Sequence, residues 1–215
     1  MINHTDWGLV DYRIAWEQQK QLAEIATRQR GTNTLVLCEH PSVITVGRSG
    51  RESNIVAAED LLRANGIETV FIDRGGDVTL HNPGQLVGYP IFDLTSMRTD
   101  LHWFLREIEE CIIETIAEYG ILGDRVEGLT GVWVERSRKI CAMGLHCSRW
   151  ITSHGFALNA NNDLDEFAYI VPCGIADKKV TSIEKEIGKK IDMAELKQIV
   201  LKAFQKRFGG FGHEL

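Results

Sequence analysis

Three runs in direct succession decide the fold: GVWVER (Gly131 to Arg136), KICAMGLHC (Lys139 to Cys147) and ITSHGFALN (Ile151 to Asn159). Each is rich in β-branched or apolar residues, and the links between them are too short for a helix. A parallel return needs a crossover of a dozen or more residues, so these strands must run antiparallel as a meander. Working outward, TLVLCEH (Thr34 to His40), VITVG (Val43 to Gly47), IETVFID (Ile67 to Asp73) and LVGYPIFDL (Leu86 to Leu94) also read as extended pieces. Apolar residues recur at helical spacing over Ile14 to Gln29, Ala57 to Gly66, Asp100 to Tyr119 and Asp192 to Phe208, the last capped in advance by Asp192. Adjacent strands with interspersed helices predict an α+β fold: a mixed, mostly antiparallel sheet packed with helices rather than a doubly wound parallel one.

The 215 residues are 44% hydrophobic and 25% charged, with 20 Gly and 4 Pro. That is ordinary globular composition, and without a linker or low-complexity stretch it predicts a single domain over residues 1–215. The net charge of −6 argues against coating nucleic acid through a general basic surface, so no nucleic-acid partner is expected. No apolar run approaches a membrane span and the N-terminus lacks a leader pattern, so the expected location is cytoplasmic, with no membrane partner. Cys38, Cys111, Cys141, Cys147 and Cys173 form an odd set without C-x-x-C or zinc-ribbon spacing, which predicts reduced thiols and no metal. Phosphate-loop, dinucleotide, zincin and serine-hydrolase motifs are absent.

Two segments carry more chemistry than a scaffold needs. In RGGDVTLHNPGQ (Arg74 to Gln85), adjacent glycines permit close backbone approach and Asn82-Pro83-Gly84 has the order of a type II turn; a surface hairpin and a ligand loop both fit. The second runs from Lys139 to Cys173. The period of two puts Lys139 in phase with Cys141, Met143 and Leu145, aiming its ammonium at an apolar face, where desolvation would lower its pKa; a strand-end lysine snorkelling to water is the plainer alternative. Cys173 lies in VPCGI between Pro172 and Gly174, a rigid mount for a nucleophile, although a buried structural cysteine fits the same pattern. A reactive thiolate there needs a base or cation nearby, with Lys139, His81, His146 and His154 as candidates.

RGGDVTLHNPGQLVGYP (Arg74 to Pro90), GVWV followed by KICAMG (Gly131 to Gly144), SHGFALN (Ser153 to Asn159) and PCGI with TSI (Pro172 to Ile183) closely resemble the lipoyl(octanoyl) transferases. The resemblance implies a fold related to the catalytic fold of biotin and lipoate protein ligases. It implies transfer of an octanoyl group from octanoyl-acyl carrier protein to a lysine of lipoyl domains, in 2-oxoacid dehydrogenase E2 subunits and glycine cleavage H protein, the first step of endogenous protein lipoylation. It further implies Cys173 as the acyl-thioester nucleophile, Lys139 as the lysine that lowers its pKa, and His154 in support. Arg74, Gly75, Gly76, Asp77, Val78, Thr79, Leu80, His81, Ala142, Met143, Gly144, Gly155, Phe156 and Ala157 would line the acyl pocket. Leu80 stands where an aromatic is usual, and Asn82 where glycine is usual.

A thioester donor supplies the free energy of transfer, so no cofactor is expected. The competing readings are an ATP-dependent lipoate or biotin protein ligase, for which GRSGRESN (Gly47 to Asn54) is a faint match, and a non-catalytic acyl-carrier-binding module. Basic residues also outnumber acidic ones from Lys178 to Arg207; a surface that steers acidic protein partners and a plain solvated helix face both fit.

Overall fold

The computed structural model describes residues 2–171 and 179–211. In chain order the strands are β1 (Asn3–Leu9), β2 (Thr34–Glu39), β3 (Val43–Val46), β4 (Glu68–Phe71), β5 (Val78–His81), β6 (Gln85–Ile91), β7 (Gly123–Val126), β8 (Leu129–Val134), β9 (Arg138–Ser148), β10 (Ile151–Asn159) and β11 (Lys179–Val180). The helices are α1 (Tyr12–Arg28), α2 (Glu59–Ala64), α3 (Leu101–Ala117), α4 (Ile183–Ile187) and α5 (Met193–Phe208). Asp11, Asp100 and Asp192 cap α1, α3 and α5 by accepting from backbone N–H groups of the first turn.

The expected meander is the heart of a large sheet in the order β1-β2-β6-β10-β9-β8-β7, with β11 added in parallel to β9. Only the β1–β2 and β11–β9 pairs in it are parallel, and every other pair runs antiparallel. The hairpins of the meander close through Glu135-Arg136 and Arg149-Trp150, each with positive φ at both residues, the geometry that matches strand twist. Alternation sorts the two faces. Leu35, Leu37, Leu86, Val132, Val134, Cys141 and Phe156 pack against α3 and α5, while Val36, Cys38, Val87, Tyr89 and Ala157 face α1.

A smaller sheet, β4-β3-β5, stands apart. The RGGDVTLHNPGQ segment is therefore not a hairpin. β5 pairs with β3, and β6 pairs with β2 and β10, so the chain crosses from the small sheet to the large one through Asn82-Pro83-Gly84. The type II turn itself is present: Gln85 N–H donates to the Asn82 carbonyl at 3.1 Å and Gly84 has φ +87°. Among the described residues no helix is long and apolar enough to cross a membrane.

Candidate functional site

A cavity of about 820 Å³ lies where the small sheet and its 74–77 loop meet β9 and β10. Arg74, Gly75, Gly76, Asp77, Val78, Thr79, His81, Ala142, Met143, Gly144, Gly155, Phe156 and Ala157 all line it, as do Lys139 and His154. Leu80 does not: fully buried, it packs with Ile44 and Val46 in the core of the small sheet, because β5 alternates and Thr79 and His81 take the cavity side.

Lys139 reaches the cavity by a route that a count of two misses. The β8–β9 register slips between Val132 opposite Cys141 and Trp133 opposite Lys139, leaving Ile140 as an extra residue, a β-bulge. Cys141 stays with the α3–α5 core, but Lys139 is turned out of phase with it. Directly paired residues share a face, so Lys139 shares the face of Trp133 and not that of the core residues Val132 and Val134. Its ammonium lies 4.6 Å from the Trp133 ring centroid and the residue is 9% exposed. The expected phase is thus corrected: the bulge sets the ammonium against the buried Trp133 ring, and Lys139 itself lines the cavity. Gly131, at φ +117°, brings β8 close by, and its N–H donates to buried Glu109 at 2.9 Å.

The 74–77 loop is fixed by its own polar groups. Arg74 donates to the carbonyl and hydroxyl of Thr45 at 2.8 and 3.0 Å and to the Gly75 carbonyl at 3.0 Å. Asp77 accepts from the N–H groups of Val78 and Arg51 and from Asn54 Nδ2. Gly75 N–H donates to the Leu145 carbonyl at 2.8 Å, and a Cβ on Gly144 would come within 2.5 Å of the Gly75 oxygen. Glycine at 144 is what allows loop and strand to touch.

Four histidines stand in or beside the site. Burial lowers His81 to about 3 and His40 to about 4, so both rings are neutral at physiological pH. His81 Nδ1 is 2.8 Å from Gln85 Oε1, and its ring stacks on Tyr12. His154 is 2% exposed, has φ +56° in the middle of β10 and donates from Nε2 to Asp73 Oδ1 at 2.8 Å. Burial lowers its pKa although Asp73 opposes the shift. The same hydrogen bond holds Asp73 well below the usual carboxylate range. His146 Nε2 is 3.7 Å from the other Asp73 oxygen. A left-handed residue inside a strand costs about 1–3 kcal/mol and is kept only where surroundings fix it; here Asp73 holds the ring and Gln19 accepts from the His154 N–H at 2.9 Å.

Cys173 lies outside the described residues, with the rest of 172–178. The chain enters that stretch at Val171, whose N–H donates to the Asn54 carbonyl at 2.7 Å. It leaves at Lys179 and Val180, which pair with Arg138 and Lys139, and Thr181 N–H donates to the Lys139 carbonyl at 2.9 Å. Asn54, Lys139 and Val180 all line the cavity. Cys38, Cys111 and Cys141 are buried, which pushes each thiol above its ordinary value. Among the described residues no cluster of three or more His, Cys, Asp or Glu side chains is arranged to hold a metal ion.

Sequence reasoning missed Tyr12, Tyr89, Asn54 and Asn159 as lining residues, and Asp73 as the partner of His154. Asn159 closes the SHGFALN motif and Asp73 directly precedes Arg74, so adjacency to quoted motifs was the available signal.

The chain matches the lipoyl protein ligase A/B catalytic domain over residues 11–205. It belongs to that family. The octanoyltransferase of Cytophaga hutchinsonii is 48% identical, over 92% of this chain and 88% of the relative. That of Flavobacterium psychrophilum is 48% identical over 94% of each. Among solved structures, a bipartite lipoate protein ligase from Thermoplasma acidophilum superposes with a TM-score of 0.74 at 16% identity, covering 100% of this chain and 87% of that one. A biotin protein ligase from Aquifex aeolicus gives 0.59 at 17%, covering 95% and 69%. These two likenesses establish the shared fold.

Proposed function

We propose that this chain, acting as one catalytic unit in the cytoplasm, transfers an octanoyl group from octanoyl-acyl carrier protein, through a thioester on Cys173, to a lysine of a lipoyl domain. Octanoyltransferase is the name that its relatives at 48% identity carry, and the enzyme class is acyltransferase. The observation that supports the route is the placement of Lys139: it lines a cavity that is also lined by Val180, on one flank of the Cys173 segment, and by Asn54, to which Val171 on the other flank donates.

The candidates for the thiol's partner separate by charge. His81 is neutral, so it supplies no cation. His154 has its Nε2 proton committed to Asp73 and pairs across β10–β9 with Leu145, six residues along β9 from Lys139, or roughly 20 Å of strand. His146 lies seven residues along β9 from Lys139, 3.7 Å from Asp73, and is not part of the cavity lining, so of the four it is Lys139 that stands on the side where the chain returns at Val180. In the proposed sequence the Lys139 ammonium stabilises the Cys173 thiolate, whose proton passes to solvent; the thiolate attacks the donor thioester, and the carrier's thiolate leaves and takes up a proton as the acyl group moves to Cys173. The acceptor lysine's amine then attacks the new thioester, forming an amide and releasing Cys173. The acyl chain would lie along Ala142 to Gly144 and Gly155 to Ala157.

Intact mass after mixing with octanoyl-loaded carrier protein tests this reading. The expected result is a hydroxylamine-labile octanoyl adduct on the wild type that Cys173→Ser abolishes. No adduct, together with ATP-dependent lipoylation retained by Cys173→Ser, would overturn it in favour of the adenylating chemistry of the ligases that share the fold.

A further inference from the structure

Four side-chain amides lie in one hydrogen-bonded row beside the cavity, and a backbone group fixes the orientation of each. Gln85 Nε2 donates to the Leu80 carbonyl at 3.2 Å and to Asn159 Oδ1 at 2.9 Å. Asn159 Nδ2 donates to the Thr181 carbonyl at 3.0 Å. Asn162 Oδ1 accepts from the Ala160 N–H at 3.1 Å, so its Nδ2 donates to Asn82 Oδ1 and Asn159 Oδ1 at 2.9 and 3.2 Å. Asn82 Nδ2 donates to the Asp163 carbonyl at 2.7 Å. A carbonyl only accepts and a backbone N–H only donates, so no amide in the row can flip without setting like groups against each other.

That row determines the state of a ring it does not contain. Gln85 must show Oε1 to His81, so His81 Nδ1, 2.8 Å away, carries the proton and donates it. His81 Nε2 is then an unprotonated acceptor, it takes no hydrogen bond among the described residues, and the ring lines the cavity. We propose that Asn159 is a positioning residue for the acyl transfer, holding His81 through Gln85 as the Nδ1–H tautomer and holding Thr181 beside Lys139. The inference rests on the acyl-transfer reading for its catalytic half only. Thr181 is the link to Lys139, because its N–H donates to the Lys139 carbonyl while its own carbonyl receives the Asn159 amide.

The chemical consequence concerns which steps His81 can serve. A lone pair facing the cavity can accept a hydrogen bond from a thiol or an attacking amine. It cannot donate to a developing oxyanion, so that role falls to other donors. The ring stays neutral because it is buried and because His40, Arg74 and His154 stand around it, with Tyr12 stacked on its face.

Ring ¹⁵N spectra of the full chain, with His81→Gln to assign the signals, test the first half. Steady-state kinetics with octanoyl-carrier donor test the second. In the wild type at about pH 7, His81 should show a protonated Nδ1 and a bare Nε2. Asn159→Leu should shift the ring toward mixed tautomers and lower kcat roughly 10- to 100-fold, with KM for the donor moving less than about 3-fold. Asn159→Asp keeps the acceptor that orients Gln85, so it should preserve the tautomer yet lower kcat. Gln85→Leu should do the reverse to the ring while sparing the Thr181 tie, which keeps the test intact if Asn159→Leu does not fold. An Nε2–H ring in the wild type, or variants that alter the ring and leave kcat unchanged, would overturn the proposal. If the wild type transfers no octanoyl group at all, the spectra still decide whether Asn159 governs His81, so the two failures are distinguishable.

Discussion

Lys139 and Trp133 face each other across the β8–β9 pair, ammonium over indole at 4.6 Å, because the bulge at Ile140 makes them partners. Lys139 is 9% exposed as a residue, and the ring's quadrupole compensates part of the hydration its ammonium gives up. The proposed role beside Cys173 predicts a cost in activity rather than in stability when this charge is removed. Lys139→Met should therefore lower kcat/KM for octanoyl transfer at least about 100-fold and raise the pH at which Cys173 is alkylated, while thermal unfolding moves by no more than a few degrees. Alkylation with an unchanged pH profile would remove Lys139 as the thiol's partner.

Glu109 is fully buried on α3 and accepts from Gly131 N–H, Arg106 and Arg125. Its two guanidinium partners are about one-third exposed, so water would share the loss if the carboxylate were removed. Glu109→Leu should cost about 2 kcal/mol, less than breaking a fully buried pair, and lower Tm by roughly 4–8 °C. Calorimetry at two salt concentrations checks it, since a buried contribution should change little with ionic strength.

At Gly155 a Cβ would collide with the Gly88 carbonyl oxygen and approach Pro90 Cδ to 2.6 Å. Both obstacles belong to the backbone or ring of a central strand, so neither can swing away. Gly155→Ala should destabilise by about 1–3 kcal/mol. Urea unfolding measures this directly, and a midpoint equal to the wild type's would show that β6 yields more easily than its central place suggests.

The neutral histidines make the protein acid-sensitive. His40 and His81 have folded pKa values depressed to about 4 and about 3, against about 6.5 unfolded, so below pH 6.5 the unfolded chain binds protons that the folded chain refuses. Their stabilising effect is complete above pH 6.5 and is lost as pH falls toward those folded values, with a slope of up to about 2.7 kcal/mol per pH unit for the pair. His154, also depressed, acts in the same direction. Unfolding free energy measured from pH 7 to 4.5 should fall steeply, and His81→Asn should remove about one proton from the slope.

The large sheet was legible because its central strands alternate cleanly and sit a few residues apart. β1 was not, since Gly8 at φ +61° interrupts the pattern and its partner β2 lies beyond the whole of α1. Alternation placed Cys141, Met143 and Leu145 together correctly but carried Lys139 along with them, because it could not register the extra residue at Ile140 that only the pairing with β8 exposes. The 74–85 segment announced a turn and a ligand loop, yet nothing local says that its two strands join different sheets. Asn159 escaped for a related reason: its importance comes from Gln85 and Thr181, far away in the chain.

The contact at Gly144 sets a limit on how the cavity can adapt. Where the Gly75 carbonyl rests on β9, main chain meets main chain, and the Gly75 N–H to Leu145 bond locks them together. Such a wall has no rotamers. It acts as a fixed gauge, whereas Met143, Leu101 and Leu105 elsewhere in the lining present side chains that can change rotamer. Accommodation of occupants of different length is thus divided unevenly around the chamber, one wall measuring and the other yielding.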